Sequence, residues 1–350
     1  MKKILSYFFS AFLLLSLCSC SDYVDIEDRL IVSTIGLDKS PEGVKMTFEY
    51  VNPKSGSEGS TNSKIISGTG HNFYAALENL SSLVTKPLFF SHCGALVFGD
   101  NLNKKDIESA FDFCAKSSEV TLLIRIIAAE NAYELLSAPD DSVPVKGYEI
   151  MSLLDTTENT IPIANASSFI NIANCRLEEN HVYAIPYISL KKENDRYAIK
   201  ITGMKIYEDD IEKFRLDEED AELFEICDGR ISRAEIILSD EGKTVAASIG
   251  SNKVNITPHF LNGNLQLDFT ITQTTEEDSD YSFIKEQYKR IIEKRSLALI
   301  KASQEKAVDI FSVRELLRKN HQKIYKSVNL NYKNYYKSAK INLKFIIKDD

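Results

Sequence analysis

Cys20 is the residue whose neighbours most closely specify a chemistry. It closes the run Leu17-Cys18-Ser19-Cys20, with a large apolar residue three positions before it and a small one just ahead. A lipoprotein signal peptidase reads those two features. Cys18 fits them badly, because Leu17 would then fill the small site. Ahead of the run, Lys2 and Lys3 give a basic start. Ile4 to Leu17 is almost wholly apolar, about the length of a signal-peptide core and too short to span a bilayer as a mature helix. The expectation is a signal peptide over 1–19 and lipidation at Cys20, which becomes the acylated N-terminus. An ordinary secretory signal or an uncleaved anchor are the alternatives. Acyl chains contribute about 0.8 kcal/mol per buried CH₂, so several of them hold a protein firmly at a membrane surface. No later stretch reaches the roughly 18 apolar residues a second span requires.

Other reactive side chains form no comparable pattern. Cys93, Cys114, Cys175 and Cys227 show no C-x-x-C spacing. His92 and Cys93 are adjacent, so in a strand they point to opposite faces and cannot chelate one ion. Buried free thiols are expected, with a disulfide left open. His71, His92, His181, His259 and His321 lack flanking G-x-S-x-G or H-E-x-x-H motifs. His92 is expected in a strand, satisfied by a backbone group. The pairs Asp209/Asp210 and Glu218/Glu219 read as solvated turn and helix-start residues. Gly68-Thr69-Gly70 lacks the third glycine of a phosphate-binding loop, Phe73 standing in its place. No metal, cofactor or catalytic residue is expected.

Charge divides the chain unevenly. Residues 281–350 hold 17 Lys and Arg against 7 Asp and Glu, a net of +10, while residues 20–280 carry −21. On charge alone such a tail reads as a solvated basic helix face; alternatively it suits a membrane surface or an acidic partner, and behind a lipoprotein signal nucleic acid is not expected. Lys285, Lys289, Lys294 and Lys301 lie off an apolar stripe of Ile284, Tyr288 and Ile291. They are expected to face membrane subunits or anionic headgroups.

The elements that must position these residues alternate strand and helix. Strands are expected at 31–38, 44–50, 65–70, 88–98 and 120–129, the last a buried central strand. Helices are expected at 73–84, 103–116 and 131–137. A crossover with three prolines follows over 138–166 and contains a short helical piece, 148–154. Strands at 181–190 and 197–207 precede a hairpin turning at Asp209-Asp210 and an acidic helix stopped by Gly229. An antiparallel meander of four runs, 231–238, 244–251, 253–257 and 265–274, leads into the longest helix, 281–308. Ser312 and Glu315 have capping-box spacing for a helix running to about 326, and 341–347 is a returning strand. The fold class is α+β: a mixed α/β multidomain protein with antiparallel and mixed sheets and a long helix toward its C-terminal end. Domains are placed at 20–190 and 191–350, or with a smaller middle domain around 140–230.

In order along the chain, Asp22-Tyr23, Ile26-Glu27-Asp28, Gly36-Leu37-Asp38, the helix Ala75 to Ser81, the strand Pro87 to His92 and the tail from Ala307-Val308-Asp309-Ile310-Phe311 through Val328 resemble landmarks of the GerC-type, or Ger(x)C, lipoprotein subunits of spore germinant receptors. Many members carry Trp after the lipid cysteine; here Ser21 stands there and the chain has no Trp. The resemblance implies a lipid-anchored, non-catalytic protein on the outer face of the cell membrane, which in the spore is the inner membrane. It also implies two integral membrane subunits as partners, one amino-acid-transporter-like, and a role in nutrient-triggered germination. A solute-binding lipoprotein of a transport system is the alternative, and a secreted enzyme has no motif behind it.

Overall fold

A computed structural model describes residues 25–52, 63–138, 145–157, 167–193, 196–229, 234–240, 243–275 and 282–349. The first sheet collects β1 (Leu30–Ser40), β2 (Gly43–Val51), β3 (Ser63–Gly70), β4 (Leu88–Phe89), β5 (Ala95–Phe98), β6 (Arg125–Ala129), β7 (Val182–Glu193), β8 (Arg196–Glu208) and β9 (Ile211–Asp217). Its order is β3-β2-β1-β5-β6-β7-β8-β9, with β4 beside the start of β1. β1, β4, β5, β6 and β7 run parallel, and antiparallel hairpins add the flanks. Central strands of a parallel sheet are buried on both faces and so read as unbroken apolar runs. Ala95-Leu96-Val97-Phe98 and Ile126-Ile127-Ala128-Ala129 do so, alternate residues entering different cores. One face is covered by α1 (Phe73–Ser82), α2 (Lys104–Lys116) and α5 (Phe169–Leu177), and the other by α3 (Ala132–Ser137) and α4 (Lys146–Thr157).

From Asp217 the chain enters α6 (Glu218–Asp228), which stops at Gly229 in the left-handed conformation, φ +77°. The second sheet follows, in order β10 (Ala234–Asp240), β11 (Lys243–Leu261), β12 (Asn264–Thr275) and β13 (Lys340–Asp349). Between β12 and β13 run α7 (Ser282–Glu305), α8 (Val313–Asn320), α9 (Gln322–Val328) and α10 (Tyr332–Ser338). Leu267, Phe269 and Ile271 of β12 meet Tyr288, Ile291 and Ile292 of α7. This core is continuous with that of the first sheet through Phe224 and Phe311, whose rings lie 6.0 Å apart. The edge strand β13 is covered too, Phe345 N–H donating to Glu293 at 3.1 Å.

The mixed α/β architecture is the expected one, but several elements differ in detail. The run 88–98 is not one strand: Cys93 N–H bonds back to the Phe90 carbonyl, and this turn separates β4 from β5. Only 125–129 of 120–129 is strand, because Ile124 N–H turns back to the Thr121 carbonyl. The helix α5 carried too weak a periodicity to be expected. Residues 243–261 form one long strand carrying a bulge between Ile249 and Ser251, which makes three meander strands rather than four. β13 joins β12 in parallel, so this sheet is mixed. The helix after Ser312 breaks at His321.

The capping box at Ser312 does not form. Ser312 sits at φ +50° with no capping bond, and its hydroxyl donates to Glu178 at 3.0 Å. Glu315 turns away to Arg318 and Lys319, which hold its carboxyl down to about 2. The cap is Asp309, fully enclosed, which accepts from Val313 N–H at 3.0 Å, Arg314 N–H at 2.8 Å and the Tyr332 hydroxyl at 2.7 Å. Removing a buried acceptor strands its donors, at about 1–3 kcal/mol. Asp309→Ala should therefore cost at least that much in denaturant titration, while Ser312→Ala should cost less than about 1 kcal/mol. The reverse ranking would restore the capping box.

Candidate functional site

Two further carboxylates work as Asp309 does. Asp38, on β1, accepts from Ala132 N–H at 2.7 Å and Tyr133 N–H at 2.8 Å, at the start of α3. Burial raises its pKa, and those amides oppose the rise. Gly36 lies two residues earlier on the same face. A Cβ there would lie 3.1 Å from both Ala132 and Leu136, so glycine lets α3 settle against the strand. The Gly-x-Asp pattern is thus a helix-docking device. Glu49, wholly buried on β2, accepts from Lys146 N–H at 2.6 Å and Gly147 N–H at 2.7 Å, and from the hydroxyls of Ser33, Thr34 and Ser63. It holds the start of α4. Gly68 and Gly70 serve the same end: a Cβ at either would strike the backbone of α1, at Leu80 or Ala76. They permit packing rather than cradle a phosphate.

The expected reactive residues are dispersed. Cys20 lies outside the described residues. Cys93, Cys114 and Cys227 are buried free thiols and Cys175 is a half-buried one. Burial pushes Cys93 well up, and Cys114 and Cys227 up to about 12, which suppresses the thiolate. His92 is not in a strand. It stands exposed in the turn between β4 and β5, its ring 6.0 Å from Phe89. His259 lies 3.2 Å from Asp268 on the second sheet, and His181 Nδ1 donates to the Arg176 carbonyl at 2.7 Å. Among the described residues, no group of three or more His, Cys, Asp or Glu is placed to hold a metal ion, and no helix is long and apolar enough to cross a membrane.

A cleft of about 410 Å³ opens between α2 and α5 beside the β8–β9 turn, lined by Lys104, Glu108, Phe111, Phe169, Arg176 and Asp210 among others. Its deepest charge is Asp210, expected as a solvated turn residue and instead buried. Arg176 grips it with two bonds, 2.9 and 2.6 Å, Tyr183 donates at 3.0 Å, and the guanidinium lies 4.4 Å from the centroid of the Phe111 ring. The cleft's arginine is thereby already spent on a partner, and the grouping is a clasp between α5 and the hairpin. Sequence reading missed Arg176, because only the fold brings residues 34 positions apart together.

Two matches to known protein families divide the chain. The model for the spore germination protein N-terminal domain matches residues 22–190, and that for the spore germination B3/GerAC-like C-terminal domain matches residues 202–348. The chain belongs to the GerAC family of spore germination proteins. Its fold is also that of a solved structure, the crystal structure of the GerBC protein. The TM-score is 0.55 at 15% identity, covering 90% of this chain and 96% of that one. No curated protein matches the chain. The family's landmarks fall on the joints just described: Asp38 and Asp309 each hold a helix, and Leu88–Phe89 pairs with the start of β1.

Two outcomes are expected. Arg176→Ala leaves Asp210 buried without its cation, only the Tyr183 hydroxyl still donating to it, which costs about 3–5 kcal/mol, whereas Asp210→Asn with Arg176→Met together should recover much of the loss. Equal destabilisation by single and double variants in urea titration would contradict the clasp. Glu222, on α6, is pushed up to about 7 by burial and by Glu218, with Lys200 opposing. The folded state then holds this proton more tightly than the unfolded chain. The associated stability is full below about pH 4.5 and is lost as pH rises through about 7. Allowing for solvent screening, Glu222→Gln should restore roughly 1–2 kcal/mol at pH 8 and nothing at pH 4. Parallel pH–stability curves would rule this out.

Proposed function

We propose that this chain is the lipid-anchored, non-catalytic C subunit of a spore germinant receptor. The observation that carries the reading is the pair of spore-germination family matches in series over 22–190 and 202–348. The Leu17-Cys18-Ser19-Cys20 run immediately ahead of them supports lipid attachment. Cys20 carries the acyl chains, the body stands on the outer face of the membrane, in the spore the inner one, and two integral membrane subunits, one transporter-like, complete the receptor. The protein needs no cofactor in this role. It contributes a shaped surface whose polar joints hold helices to sheets, and germinant-triggered chemistry belongs to the assembled receptor. The units built on the two sheets act as one body in this role, because they share a core.

Metabolic labelling with a fatty-acid analogue tests the anchor. Wild-type protein should take the label, and Cys20→Ala should lose both the label and nutrient-triggered germination. Label that persists on Cys20→Ala and disappears only on changing Cys18 would move the site, and germination at the normal rate without Cys20 would remove the anchor from the function.

A further inference from the structure

The exposed aliphatic side chains of the first sheet's unit gather at one end. Among the described residues they are Ile26, Leu83, Leu122, Leu123, Leu177 and Ile211. Ile26 and Leu122-Leu123 precede β1 and β6, parallel strands that begin at the same edge, with β5 between them. Leu83 follows α1, which returns from the far end of β3 to β4. Leu177 closes α5, whose Ile170 N–H bonds to the Leu122 carbonyl. Ile211 leaves the Asp209-Asp210 turn, where Asp209 N–H bonds to the His181 carbonyl just before β7. The described chain begins at Asp25 and leads into β1 at this edge. Four residues separate Cys20 from Asp25, so the five steps between them reach at most about 18 Å when extended.

The second unit brings its unpaired positive charge to the same end. The arch made by α8, α9 and α10 is fixed there by Arg314 to the Glu179 carbonyl at 3.0 Å, Tyr325 to Glu179 at 2.7 Å and Lys333 to Glu208 at 2.9 Å. From Arg318 to Lys340 it holds seven Lys and Arg and no Asp or Glu. Lys323, Lys326, Lys337 and Lys340 are exposed and form no ion pair among the described residues. At the centre, in the single turn Asn329–Asn331, Leu330 is fully exposed. The long helix offers less. Arg295 of α7 is bound to Glu219 and Asp220, and Lys285 and Lys294 already have interactions.

We propose that the Arg318–Lys340 arch is an anionic-lipid contact, with Leu330 as the wedge that enters the headgroup layer. Cationic side chains around an exposed aliphatic one are the combination by which a surface segment binds an anionic leaflet. The attraction is screened over about 8 Å at physiological ionic strength, so the lysines must approach the headgroups closely, and the short tether holds this end of the body near them. The arch thus fixes how the body stands on the membrane. The inference rests on the lipid-anchor reading only for bringing this end to the bilayer.

The test uses the full-length chain with Cys175→Ser and Leu330→Cys, labelled with bimane, in vesicles carrying nitroxide-labelled acyl chains. The comparison label sits at Tyr74→Cys, exposed at the start of α1 and the opposite end of the sheet. With phosphatidylglycerol present, the label at 330 should be quenched and that at 74 should not. Quenching at 330 should be lost in phosphatidylcholine alone, in high salt, and in the variant with Lys323, Lys326, Lys337 and Lys340 all changed to Glu. Circular dichroism checks that this variant is folded. Equal quenching at 330 and 74, quenching indifferent to charge reversal, or quenching at 330 only when the membrane subunits are added would overturn the proposal; the last would assign the arch to an acidic protein surface. Flotation with phosphatidylcholine vesicles reads the anchor separately: a Cys20→Ala chain that floats like wild type removes the anchor and leaves the quenching result to stand or fall by itself.

Discussion

Three carboxylates taken out of water hold this protein in shape. Asp38, Glu49 and Asp309 each end among backbone N–H groups at the start of a helix, and each comes from outside that helix. A helix start has donors with no intrahelical partner and a partial positive charge, so a carboxylate there meets both hydrogen-bond and electrostatic demand. An isolated buried carboxylate would be prohibitive. The geometry therefore works only if helix and carboxylate arrive together, which ties α3 and α4 to the first sheet. Asp309 reaches further. Its own carbonyl accepts from Asn180 at 3.1 Å, and Phe311 two residues on packs against Phe224 and Phe269. One short turn thus caps a helix, joins two sheets and sets where the arch begins.

In the proposed role, what these joints shape is a surface. Cys93, Cys114 and Cys227 are shielded, the deepest charge in the cleft is neutralised by its neighbour, and the family landmarks at Asp38, Leu88–Phe89 and Asp309 fall on packing contacts. What varies over the exterior is charge and apolarity: an acidic body, an arch with no acidic residue from Arg318 to Lys340, and leucines exposed toward the edge where β1 begins. In the proposed receptor role, recognition of membrane and partners belongs to that exterior.

Much of the fold was legible because its signals are local. Alternation found β2 and β13, continuous apolar runs found β5 and the core of β6, Asn103 announced α2, and Gly229 announced the end of α6. The failures concern contacts distant in sequence. Ser312 and Glu315 have ideal spacing for a capping box, yet Asp309 supplies the cap, because its carboxylate is buried with Tyr332 beside it. Asp210 looked like any hairpin aspartate until α5 placed Arg176 against it. The basic character of the tail was plain from composition, but which of its cations are paired depends on where Glu219 and Asp220 meet Arg295, Glu315 meets Arg318 and Lys319, and Glu208 meets Lys333.

Affinity purification of the full-length chain from dormant-spore inner membrane, followed by mass spectrometry, tests the receptor-subunit assignment most directly. The expected result is two integral membrane proteins recovered in near-equal amounts with it, one of them related to amino-acid transporters, and their loss from the Cys20→Ala strain. Recovery of a permease with an ATPase instead, or of the chain without any membrane subunit, would contradict the assignment.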